Sequence, residues 1–139
     1  MSRELFVAEP VKTYNALPPI VVDCSLLAAI LFNEPSKGEA LGLLSGKSLH
    51  APNLIDHEII SVAVKKSEAK AGTLVEKGLE GFRKLRMVRY TIDHQAQFEI
   101  ALSQKLSAYD AAYLQLAVTL NAPLATYDRV LASAARKLL

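Results

Sequence analysis

The stretch PPIVVDCSLLAAILF, residues 18–32, passes from a strand into a helix with no hairpin turn between them. Ile20, Val21 and Val22 are β-branched and read as a buried strand ending at Asp23. From Ser25 to Phe32, and again from Ser36 to Leu44, apolar residues recur at helical spacing, with Asn33, Pro35 and Gly46 as punctuation. Ser48–Ala51 reads as a second short strand, and Pro52 as the first residue of a long helix to about Lys70. Gly72 and Thr73 separate it from a helix to about Arg86. The alternating Met87–Ile92 reads as a third strand, and Asp93 caps a helix to about Leu106. A strongly apolar helix then runs from Ser107 to Asn121. The short strand APLAT (122–126) precedes a last helix opened near Asp128. Strands separated by helical segments require crossover connections, so the expectation is a parallel sheet flanked by helices.

Composition sets the frame for that sheet. With 139 residues, 51% hydrophobic and 22% charged, the chain has the size and make-up of one globular domain. The expectation is one α/β domain over residues 19–139, preceded by a loose extension over 1–18 that carries Glu4, Glu9 and Pro10 where a secretory signal needs an uninterrupted apolar run. The single Cys24 excludes an intrachain disulfide and fits a reducing, cytoplasmic compartment. His50, His57 and His94 form no metal motif by spacing. Apolar runs stop well short of the ~18 residues needed to span a bilayer. The net charge of +2 neither demands nor forbids a polyanionic partner.

In a parallel sheet of this kind, ligands bind at the carboxyl ends of the strands. Asp23 ends the first strand and Asp128 follows the last, but an Asp before a helix is also a good N-cap. Asp110, in Ser107-x-x-Asp110, equally fits a capping box. Glu58 escapes that explanation. It falls inside the apolar stripe of Leu54, Ile55, Ile59, Val62 and Ala63, where an ionised carboxylate costs on the order of several kcal/mol unless it is paired or bound to a cation. The stripe holds no Lys or Arg to serve. Asp110 shares its face with Leu114 and Ala117 and poses the same question. Four converging carboxylates repel one another until protons or a cation relieve them. Oxygen ligands without His or Cys select Mg²⁺ or Mn²⁺. Such a site suits phosphodiester hydrolysis.

At these residues the chain resembles the PIN-domain ribonucleases, and within them the VapC toxins of type II toxin–antitoxin modules. The resemblance runs from about Ile20 to Leu139. IVVDCSLLAAILFNEP is similar to the family's opening strand, acid and helix, with Asp23 and Ser25. LHAPNLIDHEIISV is similar to its acidic-helix segment, with Glu58. KLSAYDAAYLQLA resembles the third motif, with Asp110, and APLATYDRVLA the fourth, with Thr126 and Asp128. The separations of 35, 52 and 18 residues between the acids fit as well.

The resemblance implies a three-layer α/β/α sandwich, a Mg²⁺-dependent endoribonuclease acting on RNA, a cognate antitoxin that occupies the active-site groove, and a homodimer. Carried over to this chain, it makes Asp23 and Asp110 the principal metal ligands. Glu58 and Asp128 complete the acidic site, and Ser25 and Thr126 orient the carboxylates. The extension before Pro18 departs from the family, whose members commonly begin almost at the first strand.

Around an acidic pocket, RNA needs basic residues. Arg129, next to Asp128, is the best-placed candidate for a phosphate contact. The run from Lys65 to Arg89 carries eight Lys or Arg against three Glu and reads either as a phosphate-contacting region or as a solvated face. Asp56 is the rival to Glu58 on the same helix. His57 is expected to be exposed and Cys24 to be an inert buried thiol, while Tyr109 and Tyr113 either stack on bases or fill the core. A non-catalytic RNA- or protein-binding module of this fold is the alternative function. A phosphoacceptor receiver domain fits less well, lacking an acidic pair after the first strand and a Lys near the end of the last.

Overall fold

The computed structural model describes residues 17–69 and 72–139. Most of the expected loose extension (1–16) and Lys70 lie outside the described residues. The last two residues of that extension are tied down, because the carbonyls of Leu17 and Pro18 accept bonds from the hydroxyl and backbone N–H of Ser48.

The first strand and helix are β1 (Pro19–Val22) and α1 (Cys24–Leu31), followed by α2 (Lys37–Leu44) and β2 (Ser48–Pro52). Then come α3 (Ile55–Glu68), α4 (Gly72–Lys84), β3 (Val88–Tyr90) and α5 (His94–Gln104). The chain ends with α6 (Ala108–Leu120), β4 (Leu124–Ala125) and α7 (Arg129–Leu138). These match the expected elements closely, with one correction. Pro52 does not open a helix. It closes β2 in register with Tyr90, Asn53 N–H bonds to the Tyr90 carbonyl, and α3 begins only at Ile55. The residue before a proline is pushed towards extended backbone, which here prolongs the strand.

Among the described residues the four strands are all parallel, in the order β3-β2-β1-β4. Central β1 has both faces covered and its Val21 and Val22 are fully buried, as expected of a parallel strand between helix layers. Helices α1 to α4 pack on one another. α6 lies against β1 and β2 and carries α5 and α7 beside it. The core joins Val21, Val22, Leu26, Ile59, Leu114 and Leu131. Where α4 crosses α1, Gly78 is buried, and a Cβ there would stand 2.5 Å from the Phe32 ring and 2.7 Å from the Leu31 carbonyl.

From β1 the chain moves to β2 on one side and reaches β4 on the other. The switch point of this topology lies between the carboxyl ends of β1 and β4, where a crevice forms in open α/β sheets. Asp23 follows β1 and Thr126 follows β4, so the sheet brings together residues 103 apart in sequence.

Candidate active site

Asp23 is the one charged residue among the described residues that is buried. It caps α1, its Oδ1 accepting from Leu26 N–H at 3.1 Å. The Ser25 hydroxyl donates to the same oxygen at 2.7 Å, and the Thr126 hydroxyl donates to Oδ2. The direction of both bonds is set by the β4–α7 turn. Tyr127 N–H donates to Ser25 Oγ at 3.0 Å and Asp128 N–H to Thr126 Oγ1 at 2.9 Å, leaving each hydroxyl proton free to point at the carboxylate. Ser25 and Thr126 therefore orient Asp23, and three donors fill three of its roughly four acceptor positions.

Glu58 sits on α3 between the buried Ile55 and Ile59 and is half-buried. Its partner comes from another element: the Tyr113 hydroxyl, on α6, donates to Glu58 Oε1 at 2.6 Å. Asp110 lies in the first turn of α6. Its N–H donates to Ser107 Oγ at 3.1 Å, but among the described residues no donor reaches its carboxylate, so only half of the expected capping box is made. Asp128 caps α7 by accepting from Leu131 N–H at 2.9 Å.

These acids share one field. Burial lifts Asp23, opposed by its three hydrogen bonds, and the Asp128 charge lifts it further. Glu58 is raised by burial and by Asp23 and Asp110, against the lowering bond from Tyr113. Asp110 is raised by burial and then by Asp128 and Asp23. Mutual elevation of this kind marks carboxylates that cannot all be comfortably ionised together, a frequent signature of functional clusters. Among the described residues no three acidic, Cys or His side chains stand close enough to grip one ion. The donor set these acids offer is all oxygen, the chemistry that a small hard cation such as Mg²⁺ takes, with water in its remaining positions.

The neighbouring candidates fall outside this cluster. Asp56 is engaged by Arg89, whose Nε and Nη2 both reach Oδ1 at 2.9 Å, and the guanidinium also lies over the Phe82 ring. His57 and Tyr109 are exposed, and Asp93 is a helix cap bonded to Ala96 N–H. The Cys24 thiol is pushed up to about 12 by burial and by the Glu58, Asp23 and Glu34 charges, which makes it inert. In the basic run, Lys66 pairs with Glu34, Lys84 with Glu80 and Arg89 with Asp56, so part of its charge is already engaged. Arg129 is exposed and lines a cleft with Thr126, Asp128 and Arg136.

Tyr113, which the sequence leaves open between base stacking and core filling, fills the core and brings its hydroxyl to the site. Its signal was present: a tyrosine three positions after Asp110 on an apolar face needs a partner for its hydroxyl, and so did Glu58.

A family model for the PIN domain matches residues 20–137. The chain belongs to the PIN-domain family. Against VapC ribonuclease Mb0985 of Mycobacterium bovis this PIN domain is 34% identical over 111 residues, 78% of this chain and 85% of that protein. Against ribonuclease VapC3 of Pyrobaculum aerophilum it is 31% identical over 120 residues, covering 81% and 92%. The crystal structure of PAE2754 from Pyrobaculum aerophilum superposes with a TM-score of 0.62 at 21% identity, covering 84% of this chain and 79% of that one, which shows a common fold. With the PIN family established, the phosphoacceptor-receiver reading falls away.

Proposed function

We propose that this PIN domain is a Mg²⁺-dependent endoribonuclease whose site is formed by Asp23, Glu58, Asp110 and Asp128. The VapC relatives make it a toxin-type ribonuclease. What supports the metal-dependent reading is the placement of the acids: Thr126 ties Asp23, at the end of β1, to the turn that Asp128 caps, and Tyr113 ties Glu58 to α6, whose first turn holds Asp110. Asp23 and Asp110 are the ligands of the ion, Mg²⁺ or alternatively Mn²⁺. Asp23 keeps a free acceptor position, and the Asp110 carboxylate has no described donor. Glu58 and Asp128 complete the site and position the attacking water. When bound, the ion eases deprotonation of that water and stabilises the charge of an in-line displacement. Ser25 and Thr126 hold Asp23 in orientation. Arg129, on the rim beside Asp128, takes a phosphate next to the scissile one.

The toxin type carries with it a cognate antitoxin that covers the acidic groove, a homodimer and a cytoplasmic setting. No helix among the described residues is long and apolar enough to cross a membrane. The test is cleavage of a mixed RNA pool with Mg²⁺, with EDTA, and by Asp110→Asn. Cleavage is expected in Mg²⁺ alone and is expected to be lost in the other two conditions. Cleavage that continues unchanged in EDTA overturns the metal mechanism, and an intact wild type that leaves RNA uncut favours a binding module.

A further inference from the structure

We propose that Tyr113 is a positioning residue of the nuclease site, its buried hydroxyl clamping Glu58 so that the carboxylate stays aimed at the other acids. The inference rests on the ribonuclease reading above. Three observations carry it. Tyr113 is 1% exposed and its ring is locked in the core, so its hydroxyl is a fixed point rather than a mobile surface group. The bond to Glu58 Oε1 is 2.6 Å long, in the range of a hydrogen bond to an ionised acceptor. Finally, Glu58 is only half-buried, on a helix whose neighbouring His57 and Ile60 are exposed, so the side chain has solvent available to it and repulsive charges inside.

The proton in this bond has one owner. Burial and the neighbouring Glu58 raise the pKa of the Tyr113 hydroxyl far above its ordinary value, so it remains a donor throughout the accessible pH range. Asp23 and Asp110 repel the Glu58 carboxylate, and no Lys or Arg is bonded to it among the described residues. A single neutral donor held rigidly on α6 thus opposes the repulsion and fixes the distance between α3 and α6 at the site. Tyr113 touches neither metal nor RNA in this scheme and acts only through Glu58.

Four proteins test this: wild type, Tyr113→Phe, Glu58→Gln and the double variant. Phenylalanine keeps the ring that packs the core, and the half-exposed Glu58 can take water in place of the lost donor. Tyr113→Phe is expected to lower kcat for RNA cleavage about tenfold at unchanged KM, the scale of one lost hydrogen bond to a charged group. In the Glu58→Gln background the same change is expected to cost less than about twofold. Full activity of Tyr113→Phe, or an equal loss in both backgrounds, overturns the clamp and leaves Tyr113 a packing residue. A crystal structure of metal-free Tyr113→Phe gives a readout independent of cleavage. Glu58 is expected to swing out to solvent, and a Glu58 that keeps its place overturns the clamp. If wild type cuts no RNA, the ribonuclease reading fails while that crystal structure still decides the clamp.

Discussion

Asp110 and Asp128 both stand at the start of a helix, yet their carboxylates are used differently. Asp128 accepts a backbone N–H from Leu131, whereas among the described residues the Asp110 carboxylate accepts none and is pushed on by Asp128 and Asp23. Asp110→Asn is therefore expected to leave the metal-free protein at least as stable as wild type in urea denaturation while abolishing RNA cleavage. Asp128→Ala is expected to cost about 1 kcal/mol by removing a cap, a loss that Asp128→Asn avoids. Clear destabilisation by Asp110→Asn would make that residue structural. Glu58 and Asp110 stand out in the sequence because a carboxylate inside an apolar stripe asks for a partner, and Asp23 and Asp128 because they fall at strand ends. Their division between capping and site duty was not, because local spacing is the same for both. Asp23 shows why the two are compatible: one oxygen caps α1 while the carboxylate as a whole is held by Ser25 and Thr126.

At the scale of elements, the order of strands and helices was readable because apolar periodicity, caps and turn residues are local signals. The exception was Pro52, whose place depends on pairing with Tyr90 rather than on its neighbours. Gly78 marks another contact invisible in one helix alone. Its missing Cβ lets α4 approach Phe32 and the Leu31 backbone of α1. Gly78→Ala is expected to destabilise by roughly 1–3 kcal/mol through overpacking, more than the ~1 kcal/mol that alanine adds to helix propensity. Gly42→Ala is the control, since nothing lies within 4 Å of its added Cβ in α2, and it is expected to stabilise by about 0.5–1 kcal/mol. Equal effects of the two changes in urea unfolding would refute the close crossing.

For the molecule as a whole, the crowded acids predict how stability responds to pH. Asp23, Glu58 and Asp110 all have folded-state values raised above their ordinary 3.8, 4.5 and 3.8. Their contribution to stability is complete below those ordinary values and is lost as pH rises through the raised ones, because the folded state keeps protons that the unfolded chain has released. The informative quantity is a difference between two proteins that share every other titrating group. Without metal, the Tm of Asp110→Asn minus that of wild type is expected to grow as pH rises from about 4 towards neutrality, and added Mg²⁺ is expected to raise the wild-type Tm selectively. A difference that stays flat with pH in thermal melts would show that the acids do not interact.

The amino-acid sequence by itself determined the succession of elements and the parallel α/β class and nominated the four acids, since each of these is written in spacings of a few residues or in motifs of about a dozen. Only the tertiary structure decided the strand order that sets β1 beside β4, the engagement of Asp56 by Arg89 and the bond from Tyr113 to Glu58. Those pairings join residues 33, 55 and 103 positions apart. Their partners are chosen by how helices and strands pack into a common core, a property of the assembled chain that no local pattern carries.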